Sequence, residues 1–230
     1  MLPKLNRNMN IKVFRPTIQL KNYIDSYMII KADEKTTKDI IPQTAFTLSF
    51  KLSGHHEYEI NNNKGVINSS SITGLRREIK YNTLFAQTEI IIVKFQPLGA
   101  ACFIHEPLHE LSEVGTQPRD LSGWENIINI EDQLTELHSN LAKIKLIEQF
   151  LISKLKVYKL NPLTQAAVQK LLCTNSDIKI NSLASSLNIS VDALEKQFKR
   201  TVGMTPKKFE LISRLTSVVE QGASMKIYRT

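Results

Sequence analysis

The sequence has little cysteine and no long apolar run. Its 230 residues include two cysteines, Cys102 and Cys173. Two cysteines cannot supply the four thiolates of a structural zinc site, and they argue against a disulfide framework. Both have apolar neighbours in the sequence, so we expect both to be small buried hydrophobic residues. No apolar stretch approaches the ~20 residues that a membrane-spanning helix needs.

The N-terminus also lacks the features of a secretory signal. Residues 1–10 are polar and basic and contain no apolar central region. Together with the missing span, this predicts a cytoplasmic protein without a membrane partner. Catalytic fingerprints are missing as well, because no G-x-S-x-G, P-loop or dinucleotide-binding glycine pattern occurs. We therefore expect a protein that is not an enzyme and that uses no cofactor.

Two histidine-containing runs resemble metal motifs. Residues 105–109 match H-E-x-x-H, which binds zinc when both histidines share one helix face. Pro107 inside the motif would remove a helical hydrogen bond and clash with the preceding turn, at a cost of ~3 kcal/mol. The run His55-His56-Glu57 stands next to a turn and is typical of an ordinary polar cluster. We predict no metal site at either place.

The net charge is +8, and it is unevenly distributed. Residues 161–230 contain ten Lys/Arg and five Asp/Glu, a balance of +5, whereas residues 1–160 contain twenty and seventeen, a balance of +3. A positive excess concentrated at one end suits a polyanionic partner. A modest basic excess also occurs on proteins that never touch DNA, so charge alone does not decide the function.

The first 120 residues are predicted to be mostly β-strands. Apolar and polar residues alternate over 46–52, and the isoleucine-rich run 89–95 is typical of a strand buried on both faces. The turn-forming residues 61–65 separate two further strand-like pieces. After Pro97 we expect a short helix over 98–104, and residues 17–28 fit either a helix or a strand.

From residue 131 the apolar residues recur at the three- and four-residue spacing of a helix, and Glu148 interrupts the series. The series consists of Leu134, Leu137, Leu141, Ile144, Leu151 and Leu155. Two interpretations remain open: these helices pack on the strand part, or they form the seam of a symmetric dimer. Residues 158–162, which end in a proline, are predicted to be a hinge before the next helix.

Residues 163–220 show four helical stripes separated by short polar turns. The second helix has apolar residues at Ile180, Leu183 and Leu187, and the small Ala184 allows another helix to cross closely. A tight turn then leads to Ser190, whose hydroxyl is suited to cap the third helix. Polar residues remain on the outer face of that third helix, and its end is predicted at Gly203, before a fourth helix that starts at Pro206.

The second and third helices of this region are short and joined by a tight turn, which is typical of a helix-turn-helix. In that motif the helix after the turn, here the third, enters the major groove of DNA. A plain helical bundle has similar short helices and is the alternative that spacing alone leaves open. We name the third helix of this region, which lies between Ser190 and Gly203, the recognition helix.

The same region resembles the first half of an AraC/XylS-type DNA-binding domain. The matching runs are I-N-S-L-A-S-S-L-N-I-S (180–190), Leu194, F-K-R (198–200) and G-M-T-P-K-K-F (203–209). The resemblance covers residues 160–220. It implies that the side chains facing bases are Val191, Asp192, Glu195 and Lys196. It implies that the side chains meeting phosphates are Ser190, Lys199 and Arg200.

The front part resembles the β-rich sensor domain found before some AraC-type modules. The similarity lies in F-Q-P-L-G-A (95–100) and H-E-P-L-H-E-L (105–111). It implies a small cupin-like barrel with helices and an unknown small-molecule effector.

Two features depart from the AraC/XylS pattern. Those domains carry two helix-turn-helix units, but residues 222–230 do not resemble a second one, so we expect the first unit only. In addition, Asp192 and Glu195 are acidic at base-facing positions. They can accept a hydrogen bond from cytosine N4, yet they repel phosphate.

These observations predict an α+β protein with an N-terminal cupin-like β-barrel and a C-terminal all-α helix-turn-helix domain. The expected parts are a sensor domain over 1–120, a helical extension over 121–160 that is suited to dimerisation, and the helix-turn-helix domain over 161–230. The expected function is effector-responsive transcriptional regulation by a homodimer on double-stranded DNA. The alternative is a ligand- or partner-binding protein whose helix-turn-helix is degenerate and binds DNA weakly.

Overall fold

The structure of the chain is a computed structural model. It describes residues 9–75, 78–111, 115–155, 160–173 and 178–227, with side chains up to residue 218. The described strands are β1 (Met9–Phe14), β2 (Ile24–Ala32), β3 (Thr36–Ile40), β4 (Thr47–Ser53), β5 (His56–Ile60), β6 (Asn63–Val66), β7 (Ser71–Thr73), β8 (Lys80–Leu84) and β9 (Thr88–Phe95). They form two antiparallel sheets, with strand orders β1-β2-β9-β4-β7 and β3-β8-β5-β6.

The five-stranded sheet is organised around β9. This strand pairs with β2 on one side and with β4 on the other. Its side chains at Ile91 and Val93 are fully buried, as are Leu48 and Phe50 of β4. The strands predicted over 46–52 and 89–95 are therefore confirmed, and the central position of β9 explains why its sequence is apolar on both faces.

The turn predicted over 61–65 is shorter in the four-stranded sheet, because residues 63–65 belong to β6 and only Asn61 and Asn62 form the turn. Asn61 and Asn62 both have positive φ, of 49° and 63°, which is the geometry of a two-residue hairpin turn and is tolerated by asparagine. Leu84 of this sheet packs with Ile30 and Ile90 of the other sheet, so the two sheets face one another.

Residues near the ends of these strands refine two predictions. The 17–28 region is a turn followed by the start of β2, and so the strand alternative applies to its second half. The helix expected over 98–104 is reduced to a single 3₁₀ turn, Ala100–Cys102. Gly99 lies directly against the carbonyl oxygen of Tyr23, and there is no room for a side chain at this position.

Two helices, α1 (Ile127–Glu136) and α2 (Asn140–Lys154), pack on the five-stranded sheet. Leu134 and Leu151 are fully buried in the core of their own chain, whereas Leu141 is 69% exposed. The helices therefore pack on the strand part, as the first interpretation predicts, and a dimer contact through their exposed side, which includes Leu141, stays a prediction. Glu148 breaks the stripe because its carboxylate accepts a hydrogen bond from the Thr17 N–H at 2.8 Å.

Ion pairs also join α2 to this sheet. The Lys143 Nζ lies 2.6 Å from Glu89 Oε1, and the Lys31 Nζ lies 3.0 Å from Glu89 Oε2. The Lys143 side chain is 6% exposed and that of Glu89 is 16% exposed. Burial alone would raise the pKa of Glu89, but the hydrogen bonds from the two lysines outweigh it and lower the pKa below its usual range.

The C-terminal part consists of four helices. They are α3 (Pro162–Cys173), α4 (Ile180–Ser186), α5 (Val191–Val202) and α6 (Pro206–Ile227). Asn161 caps α3 by accepting from the Leu163 N–H at 2.8 Å, so the predicted start of a helix at Pro162 is confirmed, whereas residues 158 and 159 of the predicted hinge lie outside the described residues. Cys102 is buried, but Cys173 is exposed, so the expectation for Cys173 is wrong: it ends α3 on the solvent side.

The described residues confirm the predicted α+β class, with a β-rich front and an all-helical C-terminal part. One continuous apolar core extends from the five-stranded sheet to the four C-terminal helices. A Cβ atom added at Gly203, the glycine that ends α5, would lie 2.9 Å from the Phe46 ring and 3.4 Å from the Leu108 carbonyl oxygen of the front part. None of the described helices is long and apolar enough to cross a bilayer.

Candidate nucleic-acid interface

The turn between α4 and α5 is short because one residue reverses the chain. Asn188 has a φ of 55°, in the left-handed region that asparagine tolerates. The Ile189 N–H donates back to the carbonyl oxygen of Ala184 at 3.2 Å, and so it helps to hold the turn against the end of α4. The Ser190 hydroxyl then accepts from the Ala193 N–H at 3.2 Å and starts α5. The helix-turn-helix geometry that the sequence predicted is present.

The inner face of α5 is apolar and anchors the recognition helix. Leu194, Phe198 and Val202 are buried, and the ring of Phe198 meets that of Phe209 on α6 edge-on, with ring centroids 5.5 Å apart. The helix ends at Gly203, where φ is 94° and the N–H donates to the carbonyl oxygen of Lys199. These contacts fix which side of α5 points away from its own bundle.

Six of the seven side chains that the resemblance assigned to DNA lie on the polar side of α5 or at its start. Asp192, Lys196, Arg200 and Ser190 are exposed, while Glu195 and Lys199 are half-buried. Val191 differs, because it is half-buried and packs against the apolar core. The helical spacing predicts Val191 on the inner face with Leu194 and Phe198, in agreement with the structure, whereas the resemblance assigned it to a base-facing position.

The charges on this face are mixed. Lys199 Nζ lies 4.0 Å from Glu195 Oε2, one helical turn away, so each partly neutralises the other. The side chains of Lys196 and Arg200 have no ion pair within the described residues. They are therefore the two cations of α5 that are available to an anionic partner.

One cation near this face was not selected from the sequence. Lys179 is exposed and stands at the N-terminal boundary of α4. The first helix of a helix-turn-helix crosses the DNA backbone, so a lysine at its start is suited to a phosphate contact. In the sequence, Lys179 could have been recognised as the residue directly before the helical repeat of apolar residues in α4.

The polar face of α5 also borders the front part of the chain. One cleft, of about 420 Å³, lies between Pro107 and His109 on one side and α5 on the other, where it is lined by Asp192, Glu195, Lys196, Lys199 and Arg200. A second cleft, of about 780 Å³, extends from His105 and Glu106 to Gln197 and Arg200. No pattern in the sequence pointed to this neighbourhood.

The histidine runs do not form a metal centre in the described residues. His105 and His109 line different clefts, and the segment between them is a loop with a 3₁₀ turn, Leu108–Glu110. His55 is exposed and pairs with Glu57 at 2.8 Å. His56 points to the opposite side and is buried.

The interior between the sheets is polar around His56. Burial, followed by the charge of Lys80, lowers the pKa of His56 to about 4. The His56 Nε2 atom and the Asn82 Oδ1 atom are buried and make no hydrogen bond of standard geometry in the described parts of the chain, but the two side chains interact, and Asn82 partly offsets the lowering of the His56 pKa. Lys80 is also buried, with its Nζ 4.6 Å from the centre of the Tyr58 ring.

Comparisons with known proteins give one family match and several structural likenesses. Residues 12–116, less than half of the chain, match a family described as a domain of unknown function, DUF6597. None of the curated proteins compared with the sequence matches it.

Several solved structures are similar to parts or most of the chain. The AraC-like transcriptional activator CuxR is 11% identical, with a TM-score of 0.38, over 91% of this chain and 86% of its own. The cupin domain of an XRE family regulator from Enterobacter cloacae is 11% identical, with a TM-score of 0.32, over 39% of this chain and 97% of its own. An HTH_3 family regulator from Vibrio cholerae is 10% identical, with a TM-score of 0.32, over 39% of this chain and 52% of its own.

Proposed function

We propose that the chain is a transcriptional regulator of the AraC/XylS type that binds double-stranded DNA with α5 in the major groove. The observation that carries the proposal is the α4–turn–α5 unit, whose second helix is capped by Ser190 and presents Asp192, Lys196 and Arg200 outward. A major groove admits one α-helix, and recognition helices contact base edges with residues near their N-terminus.

The side chains of α5 are assigned to bases or to phosphates by their functional groups and their positions. Lys196 is suited to donate to guanine O6 and N7, and Asp192 and Glu195 are suited to accept from cytosine N4. Lys199 and Arg200, one turn further along, are proposed to meet phosphates, together with the Ser190 hydroxyl. The net charge of +8 favours association with a polyanion.

The front part is proposed to hold a small-molecule effector between its two sheets. The support is the polar interior around His56 and Asn82, two side chains with buried polar atoms that interact with each other without forming a hydrogen bond of standard geometry among the described residues. Buried polar groups are normally hydrogen-bonded, so such a pair suits a ligand that supplies a better donor or acceptor. A cytoplasmic, non-enzymatic homodimer remains part of the proposal, with the exposed side of the α1–α2 helices as its dimer contact.

A second candidate is an effector- or partner-binding protein that has lost strong DNA binding. It is favoured by the two acids on α5, since Glu195 reduces the positive field of Lys199 at 4.0 Å. The two candidates differ in whether the exposed face of α5 determines which DNA sequences the chain binds.

The experiment is selection of duplexes from a random-sequence library by the full chain, followed by titration of the selected duplex. Lys196→Ala should weaken binding to the selected duplex by ~1–3 kcal/mol and binding to random DNA by much less, because it removes a base contact. Lys145→Ala, at an exposed position of α2, is the matched control and should change neither affinity. Failure to enrich any sequence, or equal loss on both duplexes, would favour the second candidate.

A further inference from the structure

The inward face of the four-stranded sheet carries polar and basic side chains. Leu84, on β8, packs against residues of the other sheet, so the positions that alternate with it along β8 face the same interior. These positions are Asn82 and Lys80. Side chains that pair across an antiparallel ladder share a face, and the register of β3 and β5 therefore adds Lys38, His56 and Tyr58.

The facing side of the five-stranded sheet contributes two more lysines. Ile90 packs against Leu84 across the gap between the sheets, and Lys94 alternates with Ile90 along β9. Lys51 of β4 pairs with Ile90 and so lies on the same face. We name this set the inner-face lysines: Lys38, Lys51, Lys80 and Lys94.

Carboxylates are scarce on these inward faces. Along β3, β5 and β9 the acidic residues alternate with the inward positions and lie on the outward sides of the sheets; they are Asp39, Glu57, Glu59 and Glu89. Asp25, at the bulge of β2, has its Oδ2 atom 3.5 Å from the Lys94 Nζ atom. Beyond this one pair, the inward positions of the described strands carry a surplus of three positive charges.

Two of the inner-face lysines lie close to His56. Burial is the main cause that lowers the pKa of His56 to about 4, and the charges of Lys80 and Lys51 add to it. Lys80 is 2% exposed, so little water screens its charge from a neighbouring group. His56 and Asn82 each carry N–H groups that can donate to an anion placed beside Lys80.

Water reaches the space between the sheets. Met28, Ser49 and Ile92, on the inward side of the five-stranded sheet, are only partly buried, and so are Tyr58 and Asn82 on the other sheet. The opposite face of the same large sheet is packed, because four of its side chains are at most 1% exposed: Leu48, Phe50, Ile91 and Val93. The inward side chains therefore leave an interior that is open to a small solute.

We propose that the space between the sheets binds a small anion with at least two negative charges, a phosphate ester or a polycarboxylate, held by Lys51 and Lys80 and by the N–H donors of His56 and Asn82. This inference rests on the effector site of the proposed function, and it names the chemistry of the effector. Charge-assisted hydrogen bonds from lysine to phosphate or carboxylate are stronger than neutral ones, and they strengthen further where water is excluded. A dianion balances most of the inward surplus, whereas an uncharged ligand balances none of it.

The test is isothermal titration calorimetry of the full chain with three probes: citrate, glucose 6-phosphate and the uncharged glucose. Citrate represents the polycarboxylates and glucose 6-phosphate the phosphate esters. We expect at least one of the two anions to bind and glucose to show no binding. Lys51→Met and Lys80→Met should each weaken binding of that anion by about tenfold, because each removes one charge-assisted contact.

The matched control is Lys64→Met, which removes the same charge from the outward face of the four-stranded sheet. Lys64 is 78% exposed and pairs with Glu59, and its loss should leave the affinity for the anion unchanged. Circular dichroism melting shows that each variant is folded. If Lys80→Met does not fold, Lys51→Met, at a partly exposed position, decides the question.

The inference is overturned if neither anion binds the natural chain, if glucose binds as tightly as glucose 6-phosphate, or if Lys64→Met loses as much affinity as Lys51→Met. Titration of the selected duplex with the same protein tests the proposed function separately. DNA binding without anion binding would retain α5 as the DNA-binding helix and remove the anion site. Anion binding that depends on Lys51 and Lys80, without DNA binding, would retain the site and overturn the DNA-binding role.

Discussion

Acid should destabilise the front part through His56. This side chain is buried, and the pKa of its folded form is about 4 because of burial and the nearby Lys80. The unfolded chain has a histidine pKa of about 6.5. Between these two values the unfolded state binds more protons, so the stabilising contribution of neutral His56 is complete above about pH 6.5 and is lost as the pH falls towards 4. The difference between the two pKa values corresponds to about 3 kcal/mol in the free energy of unfolding.

Urea unfolding at about pH 7.5 and about pH 4.5, followed by circular dichroism, measures this effect, because the denaturation midpoint follows the free energy of unfolding. His56→Gln removes the titrating group. Between the two pH values its free energy of unfolding should therefore fall by about 2–3 kcal/mol less than that of the natural chain. His138→Gln, at an exposed position, should behave as the natural chain does. The reasoning is refuted if His56→Gln and the natural chain lose the same stability.

Two further substitutions test the packing that supports α5 and the sheet. Lys143→Met removes the ammonium 2.6 Å from Glu89 and should lower the free energy of unfolding by about 1–3 kcal/mol, measured by urea denaturation; an unchanged midpoint would show that the buried pair does not contribute. Gly203→Ala should lower the free energy of unfolding by about 2–3 kcal/mol. It places a Cβ atom on a residue with left-handed backbone geometry, 2.9 Å from the Phe46 ring. Gly123→Ala, at a φ of 79° with open space around it, is the control and should cost only about 1 kcal/mol; equal costs would contradict the Phe46 contact.

The parts of the fold that the sequence predicted are those with a local physical signal. The strands at 46–52 and 89–95 have side chains that alternate or are uniformly apolar because their faces are buried. The α4–α5 unit carries its own capping residue, Ser190, and its own terminating glycine, Gly203, so both ends of α5 are specified within the segment itself.

Other elements have no such local signal. β1 is an edge strand with exposed Ile11 and Val13, and β3 is mostly exposed, so neither shows the pattern of a half-buried strand. Leu134 and Leu151 have the same spacing whether they pack on a sheet or on a second copy, and only the tertiary structure separates these cases.

The candidate site shows the same division between local and long-range information. The polar positions of α5 follow from helical period, which is why Asp192, Lys196 and Arg200 were placed correctly on its outer face. The same period places the apolar Val191 on the inner face, and only the assignment carried over from the family made it base-facing. The proximity of Pro107 and His109 joins segments far apart in the chain, and nothing in either segment specifies the other.

The central claim is that α5 binds DNA through its exposed face, and the salt dependence of binding tests it most directly. Fluorescence anisotropy of a labelled duplex titrated with the full chain gives the affinity at several salt concentrations. We expect the logarithm of the association constant to fall with the logarithm of the salt concentration, and Lys199→Ala and Arg200→Ala each to reduce the magnitude of that slope by about 1, because each removes one phosphate contact. Absence of binding at the lowest salt concentration, or slopes unchanged in both variants, would contradict it.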